Sequence, residues 1–392
     1  MNLITHYFSY IITAVSILLP TGALANSNEL IFYNLTGYDY PGDRLVLNAL
    51  SPEEAVQKGI EDSEFMDAKI NNLVSRMTRE EDNPFEELGY YHAALALGMT
   101  TDIDFRDIFI KTYSLVNVGR SNALGSLEQI YRNGTEEFDL SEISMNGFSN
   151  ISKKAKLRFE DDFIDSDTNH PDLANMAMGL FSTYEFAKEF LNDGTQRKAV
   201  RGVYDIFLCS KIDTYKDSTL DSFYVGADID RDPGGNPHKF NGDCSGCHVP
   251  LDSQRPAFSY HAYNENNSLR FDRQLFVLTK LNRNPKEYGG TLIYSDFWEN
   301  PLTTPTHQAR FDWRGPTSGK GLQEWASMIV NSGQFSRCMA QKVLQVFCDK
   351  SEDFHQEPSA KVVVQDLANK FEDSGYRFLE LIKSSVRSPI CH

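Results

Sequence analysis

Basic residues are scarce in this sequence. Its 392 residues include 38 Lys and Arg against 55 Asp and Glu, which gives a formal net charge of −17 at pH 7. A surface that binds nucleic acid needs clustered positive charge to meet the phosphates, so the composition argues against nucleic acid as a partner. The same deficit argues against docking on anionic lipid headgroups.

Charged side chains are absent from the first 25 residues, and no later segment is apolar enough to cross a bilayer. The apolar run at 11–19 is too short for a permanent anchor, and Ala23-Leu24-Ala25 has the small-x-small pattern of a signal-peptidase site. We therefore predict a cleaved signal peptide over residues 1–25, export to the periplasm or the cell surface, and no stable membrane span after cleavage. An uncleaved anchor is the alternative, because no Lys or Arg precedes the apolar run.

Cysteine is also sparse, but two of the six cysteines belong to the stretch Cys244-Ser245-Gly246-Cys247-His248. This is the attachment motif of c-type haem. Two thiols separated by two residues can form thioethers with the two vinyl groups of one porphyrin. The histidine that follows can then present an imidazole nitrogen to the iron. We predict one covalent haem c on Cys244 and Cys247, with His248 as an axial iron ligand.

Three other interpretations of the motif compete with haem. A chance match is rare at this cysteine and histidine content. A thioredoxin-like redox pair is disfavoured because no strand–helix alternation surrounds the motif. A zinc site is disfavoured because no second cysteine pair lies at zinc spacing. An acidic run nearby, Asp228 to Asp232, begins like a calcium loop, but Pro233 and Lys239 break that signature, so we predict a solvated loop.

The sequence does not decide which residue is the second axial ligand of the iron. His307 and Met328 are the leading candidates. His307 follows His248 by a loop long enough to cross the haem and return, and Met328 lies on a predicted helix where core packing is the plain alternative. His261, Met339 and an iron site with no second protein ligand also remain.

Helical patterns dominate the rest of the chain. Ser51-Pro52-Glu53-Glu54 has the form of a helix start. Helices are further expected at 105–116, 173–191, 197–209, 321–330, 334–348 and 374–386, with a short strand-like run at 155–159. We predict a mainly α fold: a helical N-terminal domain over 26–195, and a cytochrome c-like haem domain with long loops and a C-terminal helical extension over 196–392.

The four cysteines outside the motif allow three pairings. Cys338 and Cys348 lie on one predicted helix, where ten residues place them about 15 Å apart. A disulfide needs Cα atoms within about 7 Å, so these two cannot pair. We favour Cys348–Cys391, which would pin the tail, and Cys209–Cys338. The swapped arrangement and four free thiols are the alternatives.

From about residue 100 to the end, the sequence resembles the planctomycete-type cytochrome-like proteins, whose consecutive domains have unknown function. The similarity lies in the order of short segments: residues 104–117, 179–181, 201–204, 244–248 with the downstream turn Pro250-Leu251-Asp252, 334–340 and 384–389. The chain departs from the family at Leu251, where methionine is frequent, and at Tyr260-His261. The resemblance implies haem binding and electron transfer, and it implies no substrate.

The sequence thus favours an electron carrier that exchanges electrons with an unidentified redox partner protein. Two alternatives remain. One is a haem enzyme or sensor with an open iron site, and the other is an interaction protein in which haem is structural. No catalytic residue is assigned from the sequence.

Overall fold

The computed structural model of the protein describes residues 27–78, 89–118, 123–125, 127, 129–133, 150–160, 178–192, 194–214, 216–263, 269–271, 276–282 and 289–391. The structure is mostly helical with a few short strands, which confirms the predicted mainly α fold class. The predicted signal peptide over 1–25 lies outside the described residues. Among the residues described, none of the helices has the length and apolarity to cross a membrane.

Short helices make up the N-terminal part. The α-helices are Ser27–Thr36, Arg44–Asn48, Pro52–Ile60, Asn71–Ser75, Tyr90–Thr100, Asp107–Ile110 and Asn150–Lys154, and π-helical turns lie at Phe65–Ile70 and Gln129–Asn133. The helix start predicted at Ser51 is confirmed. Its hydroxyl accepts the backbone N–H of Glu54, and the Glu54 carboxylate accepts the backbone N–H of Ser51. This reciprocal pair satisfies donors that the first turn leaves without partners.

The helix predicted over 105–116 is wrong in its second half. After the short helix Asp107–Ile110, residues Tyr113–Asn117 form a strand, which pairs antiparallel with Ala123–Gly125 on one side and Ala155–Phe159 on the other. The strand-like run predicted at 155–159 is therefore confirmed. Two-stranded antiparallel pairs also join His261–Tyr263 to Leu269–Phe271, and Phe297–Glu299 to Ser318–Lys320.

Helices return in the second half of the chain. The α-helices are Tyr184–Phe190, Arg197–Phe207, Pro237–Lys239, Ser245–Gln254, Pro305–Phe311, Gly321–Val330, Gly333–Phe347, Pro358–Asp373 and Phe378–Val386. Single turns of π- or 3₁₀-helix lie at Leu180–Ser182, Ile212–Thr214, Ser222–Tyr224, Phe240–Cys244, Arg255–Phe258, Thr279–Asn282, Phe354–Gln356 and Pro389–Cys391.

Of the predicted C-terminal helices, 321–330 is found as predicted, and the two at 334–348 and 374–386 are found with shifted bounds. The last one begins at Phe378 and not at residue 374, because Gly375 and Tyr376 have positive φ and end the preceding helix. That preceding helix, Pro358–Asp373, was not predicted. Of the helix predicted over 173–191, the described residues contain a 3₁₀ turn, Leu180–Ser182, and the α-helix Tyr184–Phe190.

The helix Gly333–Phe347 lies at the centre of the C-terminal core and packs against the helices Pro358–Asp373 and Phe378–Val386. The same hydrophobic core extends to N-terminal residues such as Ile31 and Leu35. A hydrogen bond also joins the helix Ser27–Thr36 to the turn Pro389–Cys391, because Asn34 Nδ2 donates to the Cys391 carbonyl at 3.3 Å. The domain boundary predicted at residue 195 therefore does not coincide with a gap in the packing, and the division stays a prediction.

Candidate haem-attachment site

The motif lies at the start of a helix. A π-helical turn, Phe240–Cys244, runs directly into the α-helix Ser245–Gln254, which we call the motif helix. The turn expected at Pro250-Leu251-Asp252 is wrong, because these residues continue the motif helix. Pro250 has no N–H to donate to the carbonyl four residues earlier, yet the helix continues through it.

Gly246 lets the motif helix approach a neighbouring segment closely. A Cβ atom at this position would lie 3.1 Å from the backbone nitrogen of Asp217 and 3.3 Å from Cβ of Lys216. Such distances leave almost no space for a side chain. The face of the motif helix that carries Gly246 is therefore in contact with protein.

The two motif thiols differ from the other four cysteines. Cys244 and Cys247 are partly exposed and form no disulfide with a described residue. Cys209 lies beside Cys338 with their Cα atoms 5.3 Å apart, and Cys348 lies beside Cys391 at 4.8 Å, so the structure brings together the two pairs that the sequence favours. Neither motif cysteine belongs to these two pairs.

A small hydrophobic cluster lies beneath the motif. Val225, Phe240 and Val249 are buried in it, and Cys244 packs against it. An apolar cavity of about 270 Å³ borders the motif helix at Asp252, and the exposed ring of Phe223 lines this cavity as well as a second one next to Phe240. Cys244 thus packs against apolar side chains, the kind of surroundings that a porphyrin macrocycle requires.

His248 presents its two ring nitrogens to different surroundings. Its Nδ1 atom is buried and lies 3.4 Å from Oδ2 of Asp252, one helical turn later. Within the parts of the chain that the structure describes, Nε2 makes no hydrogen bond or ion pair, and a quarter of the side chain is exposed (26%). Nε2 is therefore the nitrogen that can ligate iron, and the donor set of two thiols and one imidazole fits a c-type haem.

Asp252 belongs to a buried cluster of two arginines and two aspartates. Arg197 Nε donates to Oδ1 of Asp252, and the other two nitrogens of the Arg197 guanidinium each donate to Asp228 at 2.8 Å. Arg255, which is fully buried, donates to Oδ1 of Asp228 at 3.0 Å. The backbone N–H of Gly226 donates to Oδ2 of Asp252 at 2.8 Å.

Burial alone would raise the pKa of Asp252, but its contact with His248 and the charges of Arg255 and Arg197 hold that pKa far below its usual range. The same balance lowers the pKa of Asp228, where burial is outweighed by hydrogen bonds and charge from Arg197 and Arg255. Both carboxyl groups are therefore anionic at neutral pH. The prediction of a solvated loop is wrong for Asp228, whose side chain is only 8% exposed.

The leading candidates for the second axial position each have other partners. Nδ1 of His307 is 2.9 Å from the Thr304 hydroxyl, and its Nε2 lies 3.6 Å from Oδ2 of Asp217. Met328 is buried, and its sulfur accepts a hydrogen bond from Asn300 at 3.5 Å. The Met328 contacts are those of core packing, whereas Asp217 places His307 near the Gly246 face of the motif helix.

The remaining two candidates are also buried. His261 begins the strand His261–Tyr263, and Met339 lies inside the helix Gly333–Phe347 with no exposed surface. The sequence alone missed Arg197, Arg255 and Asp228, because only the fold brings them to the motif helix. One local signal was available: Asp252 follows His248 by four residues, a spacing that places both on one face of a helix.

Comparison of the chain with protein-family models, with curated proteins and with solved structures found no match. The resemblance to the planctomycete-type cytochrome-like proteins therefore stays a prediction, based on the short segments between residues 104 and 389.

Proposed function

We propose that this protein is an exported c-type cytochrome-like electron carrier with one covalent haem. The observation that carries the proposal is the arrangement at the motif: two thiols that belong to neither disulfide at one helix start, followed by a histidine whose Nε2 is free of other polar contacts among the described residues. In this arrangement, Cys244 and Cys247 hold the macrocycle and His248 ligates its iron. The haem supplies one-electron exchange at the iron.

The chain's own residues have three tasks in this function. The thiols of Cys244 and Cys247 would fix the position of the group, the apolar cluster against which Cys244 packs would exclude water from part of it, and His248 would supply a ligand to the iron. The net charge of −17 supports a redox partner with a basic docking surface, because opposite charges accelerate encounter.

A second candidate function is a haem enzyme or sensor with an open iron site. One observation favours it: the side chains of His307 and Met328 already contact Thr304, Asp217 and Asn300. The absorption spectrum of the purified protein separates the two functions. A low-spin spectrum with two axial ligands supports the carrier, and a high-spin spectrum that changes on adding cyanide supports the enzyme or sensor.

The proposal is tested by removing the two motif thiols. The double variant Cys244→Ala/Cys247→Ala, expressed in a host with the c-type haem maturation system, should lose all covalent haem. Haem-stained denaturing gels and mass spectrometry of the intact chain measure this. The matched control is Cys348→Ala/Cys391→Ala, which also removes two cysteines and should keep the stain. Absence of stain from the wild-type protein would falsify the proposal.

A further inference from the structure

The carboxylate of Asp252 faces the ring nitrogen of His248 that does not ligate iron in the proposed function. We propose that in the haem-loaded protein Asp252 accepts a hydrogen bond from Nδ1–H of His248 and thereby lowers the reduction potential of the iron. This inference rests on the proposed function. It assigns to Asp252 the role of a positioning and tuning residue that acts through His248.

The motif helix sets the geometry of this pair. His248 and Asp252 are four residues apart, and their side chains meet on one face with Nδ1 and Oδ2 3.4 Å apart. That distance is somewhat longer than an N–H···O hydrogen bond, and Nδ1 has no closer partner in the described residues. A small rotation of the imidazole closes the gap. A buried N–H without an acceptor is costly, so the carboxylate is the group that satisfies it.

The surroundings of Asp252 keep its carboxylate charged and fixed. Its side chain is 1% exposed, Arg197 bonds to one oxygen, and the Gly226 N–H bonds to the other. A Cβ atom on Gly226 would lie 2.3 Å from the Arg255 guanidinium, so only glycine lets the backbone come this close. The carboxylate therefore cannot turn away from His248 without breaking these bonds.

A charged acceptor changes the imidazole more than a neutral carbonyl does. When a ligating histidine donates its second N–H to a carboxylate, the ring becomes more basic and donates more electron density to the metal. Stronger donation stabilises ferric iron relative to ferrous iron, so the reduction potential falls. Because Arg197 and Arg255 withdraw part of the carboxylate charge, Asp252 lowers the reduction potential less than an isolated aspartate would.

Asp228 provides a matched control, because it belongs to the same arginine cluster and makes no contact with His248 among the described residues. Asp252→Asn and Asp228→Asn each remove one charge from the cluster, and each leaves Arg197 with one carboxylate fewer. Only Asp252→Asn replaces the proposed acceptor of the His248 proton by a neutral amide.

The experiment is an optical redox titration of the three haem-loaded proteins, wild type, Asp252→Asn and Asp228→Asn, with haem-stained gels to verify loading. We expect the midpoint potential of Asp252→Asn to be more positive than that of wild type by clearly more than the change in Asp228→Asn. Equal shifts in the two variants would show that Asp252 acts as one charge of the cluster and would overturn the inference. Absence of stain in wild type is a different result, which counts against the proposed function itself.

A second measurement needs no variant and covers the case in which Asp252→Asn does not fold. In protein labelled with ¹⁵N-histidine, the exchangeable Nδ1 proton of the haem-bound His248 is observed directly by NMR. We expect a slowly exchanging proton with the shift of a hydrogen bond to a carboxylate. A rapidly exchanging proton would contradict the inference.

Discussion

Lys342 is an amine buried inside the helix Gly333–Phe347. Its Nζ donates to the carbonyl of Arg76 at 3.1 Å, and burial lowers its pKa to about 8, helped by the charge of Arg76. An unfolded chain has the ordinary lysine value of 10.5. Between these two pH values the unfolded state binds more protons than the folded one, so the free energy of unfolding rises with pH across this window. Below about pH 8, Lys342 is charged in both states, and burial of its ammonium group lowers the free energy of unfolding by the full amount.

We therefore expect Lys342→Met to stabilise the protein most at neutral pH, and the advantage over wild type should shrink by about 3 kcal/mol as the pH rises through the window. Urea denaturation of both proteins from pH 7 to 10.5 measures the difference. Lys361→Met supplies the control, because it also exchanges one lysine for methionine but at an exposed position. A flat profile for Lys342→Met would refute the role assigned to the buried amine.

At the candidate haem-attachment site, the sequence predicts the residues that lie close together in the chain and misses those that only the fold brings together. Cys244, Cys247 and His248 follow from a five-residue spacing. Arg197 lies 55 residues before Asp252, and Asp228 lies 31 residues after Arg197, so no short pattern connects them. Their ion pairs exist only because the helix Arg197–Phe207 packs against the motif helix.

Among the elements, two glycines with similar positive φ values can be compared. Gly179 has φ 75° and precedes the turn Leu180–Ser182, while Gly194 has φ 80° in the loop before the helix Arg197–Phe207. A Cβ atom on Gly179 would lie 2.1 Å from the carbonyl oxygen of Phe109, whereas nothing lies within 4 Å of one on Gly194. The first position disfavours a side chain both by contact and by its backbone conformation (ψ −166°), and the second by positive φ alone.

Gly194→Ala should cost about 1 kcal/mol, the ordinary penalty of an alanine at positive φ. Gly179→Ala should cost at least about 2 kcal/mol more, since backbone must move to relieve the overlap with Phe109. Thermal and chemical denaturation of the two variants, side by side, give the comparison. Equal losses of stability would mean that the contact with Phe109 is not close in solution.

Elements with local signals are predicted well, and elements that need a distant partner are not. Ser51 and Glu54 form the hydrogen bonds of a capping box, so the helix start can be predicted from these two residues. The helix Gly321–Val330 also has the predicted bounds. Residues 113–117 are apolar enough to continue a helix, but they pair with Ala155–Phe159, about 40 residues later. The apolar pattern of these residues is compatible with a helix and with a strand, and pairing with a distant strand decides between the two.

For the whole molecule, the two cysteine pairs outside the motif connect distant parts of one core. Cys209 follows the helix Arg197–Phe207, and Cys338 lies within Gly333–Phe347, so this pair ties the segment before the haem motif to the helix after it. Cys348 ends that same helix, and its partner Cys391 lies in the C-terminal turn Pro389–Cys391. The backbone carbonyl of Cys391 also accepts a hydrogen bond from Asn34. The second pair closes a much shorter loop.

The length of the loop that each disulfide closes determines how much it contributes to the free energy of unfolding. Closure of 129 residues by Cys209–Cys338 restricts the unfolded chain by about 5 kcal/mol in the chain-entropy account, and closure of 43 residues by Cys348–Cys391 by about 4 kcal/mol. We therefore expect Cys209→Ala/Cys338→Ala to lower the free energy of unfolding by about 1 kcal/mol more than Cys348→Ala/Cys391→Ala does. Guanidinium denaturation of the oxidised proteins measures this, and non-reducing peptide mapping of wild type checks the pairs. Recovery of the swapped peptides, Cys209 with Cys348 and Cys338 with Cys391, would contradict the pairing, because the structure holds each of these cysteines against a different partner.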